Sequence, residues 1–302
     1  MIKQFLTFLF TVSYALSVRA ASNIDIRYDG IYLDHVSLAQ LEKVYTDYGY
    51  QDYLYMPEWK YPPIFIMSLP TDYLSITDSQ KRNKLFLQML IPLSIKINQE
   101  ITFERWDIEK IINAYQKEQK LTDEQIKILE EKAEKYDIFT RLKDKARYEY
   151  IMTELKEKVD IVPPSLLIGI AAIETNWGTN RPALIANSLY RDLVWHTEDG
   201  LEPQDETEDK SYRYKIYPSL YESMKAKTLK INSDINYQMF RFSRSQIRYR
   251  EVPLHGRDVA YNFLQDSNLQ NYAGLLDYTI TFYELSNIDD AELLPLSLPE
   301  KK

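Results

Sequence analysis

The chain of 302 residues has no cysteine, seven glycines and three histidines, and its 37 Lys and Arg are outnumbered by 45 Asp and Glu. Without cysteine there is no disulfide framework, no thiol nucleophile and no Cys-based zinc site. A chain this long does not need disulfides, because its core is large enough. His35, His196 and His255 are far apart and show no metal-ligand spacing, so each reads as a surface or hydrogen-bonded residue. No nucleophile-elbow pattern supports a serine triad. The net charge of -8 argues against a nucleic-acid partner, whose phosphates select a basic surface.

Long apolar runs are also missing beyond the first twenty residues. Lys3, an apolar run from Phe5 to Leu16, and Val18-Arg19-Ala20 together read as a signal peptide over 1–20. The run is shorter than the ~20 residues that span a bilayer, which favours cleavage over anchoring. The expected product is soluble, exported and periplasmic or envelope-associated. Losing Lys3 and Arg19 takes the charge from -8 to -10. What the chain does have is tyrosine, 25 in all. Its rings suit sugar stacking, but AT-rich coding also raises tyrosine, so composition is only permissive.

The most informative segment runs from Val162 to Gly178. Pro164 suits a first helical turn, and Gly178 suits the position just past the last one. Between them Leu167, Ile170, Glu174 and Trp177 share one face, which puts a carboxylate inside an apolar stripe. Such a carboxylate is either paired or pushed by desolvation toward holding a proton. The second state is what glycosidic cleavage asks of its general acid.

Elsewhere the pattern is mostly helical. Residues 21–76 are rich in Tyr and Pro and read as extended or irregular, with one short helix near 36–48. A helix opens at Thr77 or Asp78 and is kinked by Pro92; another covers 102–119. Thr122-Asp123-Glu124-Gln125 is a capping box that starts a third, and a fourth spans 138–158. Residues 191–217 alternate around an acidic centre, as a β-hairpin or flap would, and 219–287 return to helix. Glu198, Asp199, Glu202, Asp205, Glu206, Glu208 and Asp209 crowd that centre; a solvated acidic loop is its plainest reading, and no pattern makes it a divalent-ion loop.

The ending Glu174-Thr175-Asn176-Trp177-Gly178 resembles the glucosaminidase domain of bacterial cell-wall hydrolases, in particular the Bax-type branch, where the pattern is Glu-Ser-x-Trp-Gly. Ala186-Asn187-Ser188-Leu189-Tyr190 is similar to that family's Asn-Asn-Leu-Phe-Gly, with Arg191 in place of the glycine. Trp195, Gly200-Leu201-Glu202-Pro203, Tyr217-Pro218-Ser219-Leu220, Arg241, Arg244 and Tyr272-Ala273 with Tyr278 continue the likeness in order. Pro63, Leu69-Pro70, Leu90-Ile91-Pro92, Asn98 and Arg105 extend it upstream.

The resemblance implies a mainly α (α+β) lysozyme-like fold with a small β-hairpin lobe over 161–287. An N-terminal helical region would precede it over 77–160, and 288–302 would form a C-terminal tail. It implies an endo-β-N-acetylglucosaminidase acting on peptidoglycan, with Glu174 as acid and no cofactor or metal. Tyr272 would support catalysis or pack in the core. Glu202 or Glu206 would supply a second carboxylate, and Trp177, Asn187, Tyr190, Trp195 and Tyr278 would shape the groove. Muramidase or lytic transglycosylase chemistry, and a non-catalytic wall-binding protein, are the alternatives. Thr175 and Arg191, the two departures, motivate the last.

Overall fold

The structure, a computed structural model, describes residues 23–204, 210–263 and 271–297. The leader expected over 1–20 lies outside them. After it, β1 (Ile24–Arg27) and β2 (Gly30–Leu33) pair antiparallel, and α1 (Leu38–Asp47) starts at a capping box between Ser37 and Gln40. β3 (Lys60–Tyr61) and β4 (Ile64–Ile66) follow, and β4 joins β2 in parallel to give the sheet order β1-β2-β4. The helix near 36–48 is therefore present, and the extended parts of this region include four short strands. All three residues of β4 are buried, as strands covered on both faces are. Strands this short carry no alternation to read, and the pairing of β2 with β4 joins residues that are distant in sequence.

α2 (Ser79–Glu118) is one unbroken helix of 40 residues where the sequence suggested two. Pro92 sits inside it without ending it. Its missing N–H frees the carbonyl four residues back. That carbonyl, on Gln88, instead accepts the buried Tyr50 hydroxyl at 2.9 Å, while Gln88 Nε2 donates to the Tyr50 carbonyl at 2.7 Å. The proline thus creates the acceptor that clasps the N-terminal region to α2.

α3 (Asp123–Lys135) opens at the expected Thr122–Gln125 box, and α4 (Asp144–Lys158) follows. α5 (Pro164–Glu174) is buried from Pro164 through Ala172 and packs against α2. Next come α6 (Arg181–Ala186), the antiparallel pair β5 (Leu193–Trp195) and β6 (Tyr212–Tyr214), and α7 (Leu220–Ser233). α8 (Gln238–Tyr249), α9 (Gly256–Val259) and α10 (Tyr272–Phe282) complete the helices. β7 (Glu292–Leu293) then runs parallel to β3, so residues expected as a tail are partly a strand against the N-terminal region. One hydrophobic core runs through these elements, the β5–β6 pair excepted. The architecture is mainly helical with small sheets, as the sequence suggested.

Two polar devices fix the start of α5. Before it, the buried Arg244 guanidinium donates to the carbonyls of Glu157, Asp160 and Ile161 at 2.9, 3.0 and 2.8 Å and to Asn232 Oδ1 at 2.8 Å. It thereby satisfies the carbonyls that the end of α4 leaves open. Burial pushes Arg244 down to about 10, so it stays charged at neutral pH. Burial opposes the ionised form of Asp160, yet Arg244, Arg248 and Arg105 hold its carboxyl below the usual range. At the first turn, Pro163 offers no side-chain cap. Asp289 supplies one from across the fold, accepting from Ser165 N, Ser165 Oγ and Gly256 N at 2.8, 2.8 and 2.9 Å. Burial pushes its carboxyl up to about 6.

Candidate active site

Glu174 is the last residue of α5, half-exposed where the helix leaves the core. The turn beyond it holds it from both sides. Asn176, Trp177 and Gly178 take consecutive left-handed conformations, with φ of 48°, 60° and 77°. Thr175 is fully buried; its hydroxyl donates to the Ala171 carbonyl at 2.6 Å and accepts from Gly178 N at 2.8 Å. Both bonds need only a hydroxyl on Cβ, so threonine does here what the family's serine would. Asn180 Nδ2 donates to the Glu174 carbonyl at 2.9 Å, and its Oδ1 caps α6 by accepting from Ala183 N at 3.0 Å. Gly178 is required twice, by its φ and because a Cβ there would lie 2.9 Å from the Phe86 ring.

A cleft of about 300 Å³ opens at Glu174, lined also by Asn180, Arg181, Pro182, Arg191, Gln204 and Tyr214. Arg181 donates to the Glu202 carbonyl at 2.6 Å, which joins α6 to the chain entering the hairpin's second arm. Arg191 has φ 51°, the left-handed region where the family's glycine is at ease, and its side chain adds a second guanidinium to the cleft. Glu174 is the one carboxylate among the described lining residues. The carboxylate of Glu202 instead pairs with Arg213. Glu206 lies outside the described residues.

The hairpin forms the opposite wall. Leu193 pairs with Tyr214 and Trp195 with Tyr212, so alternation puts these four side chains on one face. Tyr214 lines the cleft, and the Trp195–Tyr212 pair lies two residues farther along, roughly 7 Å away at ~3.4 Å per residue. These two rings stack at 4.7 Å with an interplanar angle of 25°, and Trp195 is 56% exposed. Val194 and Arg213 occupy the other face, over Gly200. The period-two spacing Tyr212-Arg213-Tyr214 signals this wall in the sequence, but only Trp195 was picked out there. Arg181, Asn180 and Gln204 carried no signal at all.

The other expected site residues fall elsewhere. Trp177 is wedged against Tyr283 at 4.7 Å and meets Phe86 edge-on at 6.3 Å, and its carbonyl accepts from Tyr73 Oη at 2.9 Å. It anchors the turn to the core and is absent from the cleft lining. Tyr190 is buried beneath α5, donating to the Leu167 carbonyl at 3.2 Å. Asn187, left-handed at φ 51°, ends α6 and donates to the Tyr217 carbonyl at 3.2 Å. Tyr272 is buried in the first turn of α10, the helix that packs on α5 with Leu276 and Ile280 against Gly169. Tyr278 is exposed on α10 and stacks on Phe282 at 5.4 Å. Neither tyrosine lines the cleft.

Residues 149–285 match the glucosaminidase family, described as mannosyl-glycoprotein endo-beta-N-acetylglucosaminidase. The matched span opens inside α4 and closes just past α10, so it holds Glu174, the cleft and the hairpin. The protein bax of Escherichia coli (strain K12) is 31% identical over 185 residues, 60% of this chain and 61% of that protein. The chain is thus similar to a Bax-type protein, and its residues 149–285 to a glucosaminidase domain. It spans about three fifths of the length of the curated relative it matches. Among solved structures, the catalytic domain of the autolysin Auto from Listeria monocytogenes is 18% identical, with a TM-score of 0.32 over 56% of this chain and 99% of that one. Among the described residues, no helix is long and apolar enough to cross a membrane.

Proposed function

We propose that the chain is an exported peptidoglycan hydrolase that cleaves the β-1,4 bond after N-acetylglucosamine, with Glu174 as general acid. The observation that carries this reading is the position of Glu174. It stands at the end of a buried helix and opens into a cleft between α6 and an aromatic hairpin face, inside the span that matches the glucosaminidase family. Its proton would go to the glycosidic oxygen as the bond from the anomeric carbon breaks, and water would complete the hydrolysis. Arg181 and Arg191 would donate to substrate oxygens beside the cut, while Trp195 and Tyr212 would stack on a neighbouring sugar. The reaction needs no cofactor.

One observation favours a second reading of the chemistry. The described cleft residues offer a single carboxylate, which suffices for a transglycosylase that captures the anomeric carbon with the substrate's own hydroxyl. The non-catalytic alternative loses its motive, because Thr175 keeps both bonds of the turn and Arg191 keeps the glycine-like backbone. Digestion of purified peptidoglycan by the wild type and Glu174→Gln, with borohydride reduction and mass spectrometry, tests all three. Reduced N-acetylglucosamine ends from the wild type are expected. Glu174→Gln should lose about 10²- to 10⁴-fold in rate, the usual share of a general acid. Anhydro muramic ends would move the assignment to the transglycosylase, and binding without release to a wall-binding protein.

A further inference from the structure

The outward side of α6 separates two depressions. Arg181, in its first turn, lines the Glu174 cleft; Ile185, one turn later on the same face, lines a second groove of about 440 Å³. α6 has six residues and is only about 9 Å long at 1.5 Å per residue, so one extended ligand can reach both. The far wall of the second groove is not from the glucosaminidase match. It is the segment 68–75 of the N-terminal region, with Leu69, Pro70 and Leu74 among its lining residues.

That wall is built, not draped. Thr71 N donates to the Val36 carbonyl at 2.9 Å and Leu38 N to Asp72 Oδ1 at 2.7 Å. Ser68 Oγ donates to Asp34 at 2.8 Å and accepts from His35 N at 2.7 Å. Tyr73, from the same segment, is the group that holds the Trp177 carbonyl, so one loop both walls the groove and secures the turn after Glu174. Inside, Leu74 is 58% and Ile185 63% exposed, and Leu184 and Pro70 add further aliphatic surface. Its lining tyrosine, Tyr73, is buried, in contrast to the exposed Trp195 of the hairpin face, so the groove is ill-suited to sugar stacking. The rim carries the His35 ring and the carboxylate of Asp72, whose Oδ1 accepts from Leu38 N.

Aliphatic walls with an acidic rim fit a short peptide that carries a free amine. We propose that this groove takes the peptide substituent of the glycan strand whose backbone lies in the Glu174 cleft. The inference rests on the glycan reading above. The N-terminal region is then part of the substrate site, and peptide-bearing strands are preferred over bare ones.

The test is calorimetric titration of the full chain bearing Glu174→Gln, which prevents turnover, with three ligands: a disaccharide-peptide fragment, the disaccharide without peptide, and the free peptide. The disaccharide-peptide should bind roughly tenfold tighter than the bare disaccharide, as expected from covering two exposed aliphatic side chains. Adding Leu74→Glu and Ile185→Glu should remove that preference at an unchanged melting temperature, and Ile185→Leu should keep it. Equal affinity for the two disaccharides, or a preference that survives the Glu substitutions, overturns the proposal while leaving the glycan reading intact. Binding of the free peptide without any disaccharide binding would keep the groove and sink the glycan reading. Binding of none of the three sinks both.

Discussion

The helical body that holds Glu174 and the hairpin that faces it are made in different ways. In the body α5 is sheathed by other elements and tied at its start by Asp289 and before it by Arg244. The hairpin has two strands of three residues, and Leu193 and Trp195 face solvent. The difference separates placing a proton donor from gripping a substrate. Damage to the body should show as lost stability, and damage to the hairpin as lost affinity in a fold that stays intact.

The strongest attack on the body is Arg244→Met. It removes the donor to three carbonyls and leaves Asp160 buried beside fewer cations. Breaking one side of a buried ion pair costs about 3–5 kcal/mol, so urea unfolding should show a loss of that size. A loss under about 1 kcal/mol would mean that Arg248 and Arg105 alone hold Asp160 and the junction ahead of α5.

Asp289 sharpens the comparison through pH. Its folded carboxyl is raised by burial from the usual 3.8 to about 6, so between those values the folded state binds more protons than the unfolded one. Stability from this group is full below about 4 and falls as pH climbs to about 6, by up to about 3 kcal/mol. Asp160, with a lowered pKa, works in the opposite direction, losing its contribution as pH falls. Subtracting Asp289→Asn from the wild type across pH 3.5 to 7.5 isolates the first effect. The variant should gain on the wild type as pH rises, and parallel curves would show that the carboxyl titrates normally.

How far this division could be read from sequence depends on the range of each signal. The Thr122 box and the opening of α2 at Thr77 or Asp78 are local and fold as read, whereas the helix read from Pro164 toward Gly178 ends at Glu174 and leaves Trp177 in the left-handed turn beyond it. That the carbonyl freed by Pro92, on Gln88, is taken up by Tyr50 had no local signal, because Tyr50 lies 38 residues from Gln88. The same applies to β2 with β4 and β3 with β7, short pairings with no local signature. At the site, the carboxylate on an apolar helix was legible, but its neighbours Arg181 and Tyr214 required the fold to bring them together. Tyr190 and Trp177 show the converse: a motif position says a residue matters without saying whether it packs or binds.

The turn after Glu174 is where body and site meet, and Thr175 measures the coupling. Thr175→Val leaves Gly178 N without its acceptor in a buried turn, which costs about 1–3 kcal/mol. It should also lower kcat, since the same turn orients Glu174. Thr175→Ser keeps both bonds and loses one buried methyl, about 1 kcal/mol or less, with kcat unchanged. If Thr175→Ser lowers kcat and Thr175→Val does not, the methyl group rather than the hydroxyl holds the turn.

The smallest effect is expected on the hairpin. Trp195→Ala and Tyr212→Ala remove an exposed and a half-buried ring that stack on each other. An aromatic contact of this kind is worth about 0.5–1.5 kcal/mol, so each should raise KM on glycan a few-fold with little change in kcat or melting temperature. The double substitution decides between two roles for the pair. If the rings grip one sugar together, the second removal adds little to the first. If each contacts a different sugar, the two losses multiply, and the hairpin face is an extended rail rather than a single clamp.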